Sequence, residues 1–169
     1  TITFNRYTLL NLHAILSEID RITRVVQKLL DFARRKPPAL RDLDLNGPLR
    51  KVAELLAPQA ASQGIEVRLP LKEDPLLIYA DPDQLQQVFL NLCLNAIQAM
   101  PQGGRLTISS SSTGSRPDTG EMDQQWVHVA IADTGEGIPP ENLRRIFEPF
   151  FTTKDSSQGT GLGLALSRD

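Results

Sequence analysis

The chain has 169 residues, with 18 Lys plus Arg against 20 Asp plus Glu and 40% hydrophobic residues. A formal charge of −2 leaves no surplus of cations for gripping a phosphate backbone, so a nucleic-acid partner is disfavoured, and the apolar content is too high for a disordered tail. No apolar run approaches the ~18 residues of a membrane span, and the single cysteine, Cys93, permits neither an internal disulfide nor a cysteine metal cluster; a soluble, reducing, cytoplasmic setting fits best.

The first third reads as one long helix. Leu9, Leu12, Leu16, Ile19, Thr23, Val26 and Leu30 recur at alternating spacings of three and four, the seam of a coiled coil or helical bundle. Ile15, Ile22 and Leu29 widen that stripe, and Arg34, Arg35 and Lys36 suit the negative end of a last turn before Pro37-Pro38 stops the helix. Residues 37–46 read as a linker. A shorter amphipathic helix is expected over about 47–62, burying Leu49, Val52, Leu55 and Leu56, with Gly64 as its stop. Strand-like runs follow at 65–71 and 76–80. Leu106 and Ile108 alternate in a third run, residues 109–125 form a polar excursion, and Val127, Val129 and Ile131 mark the next strand. This order implies an α+β fold, a two-layer α/β sandwich with helices on one face of a mostly antiparallel sheet.

Asp81-Pro82-Asp83-Gln84 is a strong helix start: Asp81 caps and Pro82 suits the first turn. From Gln84 to Gly104 there is no charged residue, so this helix is expected to be covered on most sides. Leu85, Val88, Leu92 and Ala96 supply an expected core face. Gln84, Gln87, Asn91, Asn95 and Gln98 form a stripe of neutral amides on another. Such amides need partners. Either neighbouring loops bond them, or they face a ligand. Amide oxygens are hard ligands that suit magnesium with retained waters, and Asn91 and Asn95 stand one turn apart.

Two glycine clusters follow. Asp133-Thr134-Gly135-Glu136-Gly137-Ile138-Pro139 opens a loop directly after a strand, where a carboxylate can accept from an exocyclic amine and paired glycines let backbone approach a flat ligand. Gly159-Thr160-Gly161-Leu162-Gly163-Leu164 opens a helix, and free N–H groups there make a phosphate cradle. It is not a P-loop, because the Gly-Lys-Ser/Thr ending is absent. The polar stretch Thr152–Gln158 before it suits a lid, and Lys154 is either a counter-charge for phosphate or an ordinary solvated lysine.

These residues resemble a family. Asn91-Leu92-Cys93-Leu94-Asn95-Ala96 resembles the N box of sensor histidine kinases, and Asp133 to Gly137 their G1 box. Ile146-Phe147-Glu148-Pro149-Phe150-Phe151-Thr152-Thr153-Lys154 is similar to the F box, and Gly159 to Leu164 to the G2 box. Leu30-Asp31-Phe32-Ala33-Arg34 resembles the second helix of the dimerisation and phosphotransfer hairpin. The Asn95 to Ala99 wording is similar to nitrogen-regulator-type kinases.

The resemblance implies a Bergerat ATP-binding fold preceded by a long bundle-forming helix. Residues 1–36 would be part of the hairpin, 37–46 the linker, and 47–169 a catalytic domain that is incomplete at its C-terminus. It implies Mg·ATP as the bound cofactor, with Asp133 on the adenine amine and Gly135 and Gly137 shaping the pocket around the base. Asn95 and Asn91 would take the metal, Gly161, Leu162 and Gly163 would wrap the phosphates, and Ile138, Lys154 and Thr160 complete the expected ATP-binding set. ATP-hydrolysing relatives of the fold carry a glutamate where Asn91 stands, and an amide cannot act as a general base. The implied activity is transfer of the γ-phosphoryl group to a histidine and onward to an aspartate of a response-regulator receiver domain, in a homodimer built on the N-terminal helix. No phosphoacceptor is expected in this chain: His13 lacks the acidic residue and proline that follow the family's acceptor, and His128 lies mid-strand. Two rivals stand beside this reading, an ATP-hydrolysing relative and a nucleotide-binding or dimerisation module without kinase activity. A membrane tether on the parent protein is left open.

Overall fold

The computed structural model describes residues 15–16, 18–19, 22–23, 37–113, 126–154 and 161–167. Within the expected long helix, residues 15–16, 18–19 and 22–23 are helical, with Ile15, Leu16, Ile19 and Ile22 exposed. The rest of that seam (Leu9, Leu12, Val26, Leu29, Leu30), His13, residues 114–125 and Thr160 lie outside the described residues.

From residue 41 the elements run β1 (Arg41–Asp44), α1 (Asn46–Ser62), β2 (Ile65–Arg68), β3 (Leu77–Ala80), α2 (Pro82–Gln98), β4 (Gly104–Thr113), β5 (Trp126–Asp133) and α3 (Gly163–Leu166). The strands make two sheets rather than one. β1 pairs antiparallel with β3, while β2, β4 and β5 form a mixed sheet in that order, parallel at β2–β4 and antiparallel at β4–β5. The expected α+β architecture with helices packed on a sheet is what the chain adopts. The stretch read as a linker departs from expectation, because residues 41–44 pair in register with β3, from Arg41 opposite Ala80 to Asp44 opposite Leu77. Asp44 also ties this corner together: its Oδ1 accepts from the backbone N–H groups of Asn46 at 3.1 Å and Leu76 at 2.9 Å.

Helix α1 buries Leu49, Val52, Ala53, Leu56 and Ala60, whereas Leu55, expected inside, is 56% exposed. The true stripe uses small alanines that let α1 approach its neighbours α2 and β2. The helix stops at Gly64, whose φ of +69° is the left-handed turn that glycine adopts freely and whose N–H donates to the Ala61 carbonyl at 3.1 Å. In β4, Leu106, Ile108 and Ser110 alternate inward against the helices, while the intervening Thr107 and Ser109 are only partly covered. The buried Ser110 is satisfied by Asn46, itself 1% exposed: Ser110 Oγ donates to Asn46 Oδ1 at 2.8 Å and accepts from the Lys72 N–H at 3.1 Å. Asn46 Nδ2 in turn donates to the Lys72 carbonyl at 3.0 Å. A polar knot thus fastens the start of α1, the 69–72 connection and the centre of β4.

Candidate functional site

Helix α2 begins as its sequence predicts. Asp81 caps it, its Oδ1 accepting from the N–H groups of Asp83 at 2.9 Å and Gln84 at 3.3 Å. Its second oxygen accepts from the Ala39 N–H at 2.8 Å, which ties the chain ahead of β1 to this helix. The Ala39 hydrogen bond, with those of Gln84 and Asp83, holds the Asp81 carboxyl below its ordinary range.

The core face of α2 is Phe89, Cys93, Ala96 and Ile97, continued by Met100, rather than the expected Leu85, Val88, Leu92 and Ala96. Only Ala96 is shared; Leu85 and Val88 pack at the margin of the core, partly buried. Cys93 is fully buried, and burial pushes its thiol up to about 11, so it behaves as a small apolar side chain at neutral pH.

With that face inward, the amide stripe turns toward the C-terminal segments. Asn91 Nδ2 donates to the Gly163 carbonyl at 3.4 Å. Lys154 Nζ donates to Gln98 Oε1 at 2.6 Å and to Asn95 Oδ1 at 3.4 Å. Burial lowers the Lys154 pKa, and the Glu136 carboxylate opposes that shift. Gln84 and Gln87, at the start of the stripe, stay exposed.

Strand alternation delivers the carboxylate to the same region. β5 pairs with β4 so that Ile131 faces Ile108 and Asp133 faces Leu106. Side chains two apart share a side of the sheet, so Asp133 emerges on the side that carries the helices. Its Oδ1 accepts from the Gly135 N–H at 2.8 Å, and its Oδ2 has no hydrogen-bond partner among the described residues. The loop beyond docks on the end of α2, where the Glu136 N–H donates to the Ala99 carbonyl at 3.2 Å. A Cβ on Gly135 would lie 2.5 Å from that same carbonyl oxygen, so the loop packs on the helix only with glycine at this position. Gly137 is different: its φ is +74° and no atom lies within 4 Å of where its Cβ would stand. Ile138 beside it is 48% exposed.

The last glycines close the region. Gly161 has φ +65°, and a Cβ there would overlap the Phe150 backbone. Leu162 is 1% exposed, so its side chain fills the interior and only its backbone is available to a ligand. The helix after it is described over Gly163–Leu166, so the N–H groups of the Gly161–Gly163 turn stand at its start. A shallow recess of about 460 Å³, lined by Arg145, Glu148, Pro149, Phe150, Phe151 and Thr152, sits on the F-box-like segment and includes neither Asn95 nor Asp133.

Sequence reasoning left out of the site two residues that the structure puts in it. Gln98 lay in the amide stripe and makes the shortest contact to Lys154; Glu136 lay inside the glycine cluster and faces the same ammonium. His128 is exposed on β5 opposite Ser111, away from the amide stripe.

These residues fit a magnesium–nucleotide ligand. No cluster of three or more His, Cys, Asp or Glu able to hold a metal occurs among the described residues. What α2 presents here is amide oxygen, which together with phosphate oxygens and water makes a donor set proper to Mg²⁺. The lysine ammonium lies against Asn95 Oδ1 and Gln98 Oε1, so both oxygens are turned toward positive charge.

The fold and the four convergent motif segments define a class, and the chain belongs to it: residues 80–169 match the family of histidine kinase-, DNA gyrase B- and HSP90-like ATPases. Within that family its likeness is to the catalytic cores of sensor histidine kinases. It is 40% identical to the sensor histidine kinase ZraS of Escherichia coli K12 over 149 residues, which are 88% of this chain and 30% of that protein. It is 39% identical to sporulation kinase A of Bacillus subtilis 168 over 154 residues, 90% of this chain and 23% of that protein. The chain thus spans less than a third of the length of these relatives. Among solved structures, the nucleotide-free catalytic domain of histidine kinase ThkA superimposes with a TM-score of 0.64 at 32% identity, covering 76% of this chain and 77% of that one. Full-length ShkA in complex with AMPPNP gives 0.73 at 31% identity, over 98% of this chain and 34% of that one. ThkA in complex with the response regulator TrrA gives 0.70 at 26% identity, over 89% and 42%.

Proposed function

We propose that this chain is the nucleotide-binding catalytic part of a sensor histidine kinase. It binds Mg·ATP and presents the γ-phosphoryl group to a histidine of a dimeric helical hairpin, from which the group passes to a receiver-domain aspartate. The observation that carries this reading is the meeting of three motif segments with the fourth, which lies on α2. The amide stripe of α2 touches Lys154 through Asn95 and Gln98 and Gly163 through Asn91, while the loop after Asp133 docks on Ala99. The AMPPNP bound by ShkA and the regulator bound by ThkA support the same assignment of ligand and partner. The reading places the domain in the cytoplasm.

Each residue has a task in this reading. Asp133 Oδ2 accepts from the exocyclic amine of the base, while Oδ1 stays on Gly135 and fixes the carboxylate plane. Asn95 and Asn91 would hold the magnesium ion, which would neutralise phosphate charge. Lys154 and the N–H groups of the Gly161–Gly163 loop take the rest of that charge, so that phosphoryl transfer is a matter of positioning and electrostatics. Asn91 cannot accept a proton from water, which keeps the γ-phosphoryl group for the histidine. Neither His13 nor His128 has the acceptor's sequence setting, so the receiving histidine lies outside these 169 residues.

Titration with a fluorescent ATP analogue, with and without Mg²⁺, tests the reading. Saturable binding that strengthens with Mg²⁺ in wild type, and loses that strengthening in Asn95→Ala, is expected. Absence of binding, or binding indifferent to the metal, overturns it.

A further inference from the structure

We propose that Gln98 is a positioning residue that parks the Lys154 ammonium in front of Asn95, so that in the nucleotide-free protein the lysine holds the place of a divalent cation and must be displaced when that cation arrives. The inference rests on the nucleotide-binding reading above and adds to it a residue and an exchange of cations.

The geometry ranks the contacts. Lys154 Nζ lies 2.6 Å from Gln98 Oε1 but 3.4 Å from Asn95 Oδ1. A charge-assisted bond at the shorter distance fixes the ammonium, and the longer one follows from it. The Glu136 carboxylate attracts the same ammonium from the opposite loop. The Lys154–Gln98 bond therefore links the end of the F-box-like stretch to α2, with the Glu136 charge acting on the same ammonium. The Lys154 N–H donates to Thr152 Oγ1 at 3.1 Å in a tight local turn, and on this proposal that turn loosens when the ammonium lets go.

An ammonium and a divalent cation cannot share Asn95 Oδ1, since two like charges within ~4 Å repel strongly away from bulk water. The lysine stem is flexible enough to leave Asn95. Gln98 sits one turn nearer the end of α2 than Asn95, so an ammonium driven from Asn95 by the metal gives up its bond to Gln98 as well. Arrival of the metal is thereby coupled to freeing of residues 152–154. Gln98 itself is exposed, so its replacement leaves the core intact.

The test uses the whole chain without nucleotide. Amide hydrogen exchange is read at Thr153 and Lys154, and the Lys154 side-chain ammonium is followed by NMR, assigned through Lys154→Arg. In Gln98→Leu the two amides should exchange roughly threefold to tenfold faster, as loss of one charge-assisted bond at a partly exposed site allows, and the ammonium signal should move to that of a solvated lysine. Gln98→Glu, which keeps an acceptor, should restore both. Addition of Mg²⁺ with AMPPNP to wild type should shift the ammonium signal. Wild-type exchange and signal in Gln98→Leu, or no rescue by Gln98→Glu, overturns the positioning role. An ammonium unmoved by Mg²⁺ and AMPPNP in a chain shown to bind them overturns the cation exchange. Failure of the nucleotide reading is distinguishable: the analogue then binds neither protein, while Gln98→Leu still releases the lysine.

Discussion

The Phe150 N–H donates to the Gly161 carbonyl at 2.9 Å, and both residues stand in the left-handed backbone region, at φ 68° and 65°. For glycine that conformation is free, but for phenylalanine it costs ~1–2 kcal/mol. Phe150 is 61% exposed, so packing of its ring does not explain why the strain persists. The close fit of Gly161 against the Phe150 backbone does, because the two turns lock only when one of them lacks a Cβ. This clasp joins the two ends of the segment from 151 to 160.

Gly161→Ala should therefore break it. The added methyl overlaps the Phe150 backbone and adds a left-handed penalty of ~1 kcal/mol of its own. Hydrogen exchange at the Phe150 amide should rise by about tenfold, the change that 1.4 kcal/mol produces. Phe150→Gly, which relieves the strain on the other side, should leave the amide protected at position 150. Equal exchange in wild type and Gly161→Ala would show that the overlap is absorbed elsewhere.

Asp133→Asn separates the two oxygens of one carboxylate. Oδ1 accepts from Gly135, and an asparagine oxygen can do the same, so the loop should hold its shape. The other oxygen becomes an NH₂ donor and would meet the donor amine of the base. Affinity for a fluorescent ATP analogue should fall at least about tenfold, and the melting temperature should stay within about 2 °C of wild type. Calorimetry showing unchanged affinity would remove Asp133 from adenine recognition.

Punctuation in the sequence proved the most legible part of the fold. The cap at Asp81, the stop at Gly64 and the alternation of Val127, Val129 and Ile131 each depend on a local rule that tertiary contacts do not override. β1 was hidden because Arg41, Asp42 and Asp44 give no apolar alternation, and the strand exists through its pairing with β3. The phase of α2 was hidden for a different reason. Between Gln84 and Gln98 every residue is apolar or an amide, so no charge marks the wet side, and the face that is buried is decided by Phe89 and Ile97 meeting the sheet. The site residues on α2 and β5 were readable as motifs. The contacts that join them were not, since the Lys154–Gln98 bond spans 56 positions of chain.

Asn46 offers a test of the polar knot beneath the sheet. Its side chain both accepts from Ser110 and donates to the Lys72 carbonyl with almost no exposure. Asn46→Ala leaves a hydroxyl and a carbonyl unpaired inside, which costs ~1–3 kcal/mol. Urea denaturation should report that loss. Ser110→Ala should cost less on its own, and the double variant should be more stable than the sum of the two losses implies, since the partners share one bond. Strict additivity would mean that Asn46 and Ser110 act independently.

Acid should loosen the join between the chain ahead of β1 and α2. The Asp81 carboxyl is held below its ordinary 3.8, first by the Ala39 N–H and then by the cap bonds of Gln84 and Asp83. A group whose folded pKa is lowered contributes stability that is fully present above 3.8 and is lost as pH falls through the folded value. Wild-type stability, read as a urea midpoint, should hold from neutrality down to about pH 5 as far as this group is concerned and then decline. Asp81→Asn keeps oxygen at one position of the cap but has no charge to lose, so its acid limb should be shallower and its neutral-pH midpoint lower. Parallel acid limbs for the two proteins would show that the Ala39 contact does not favour the ionised form.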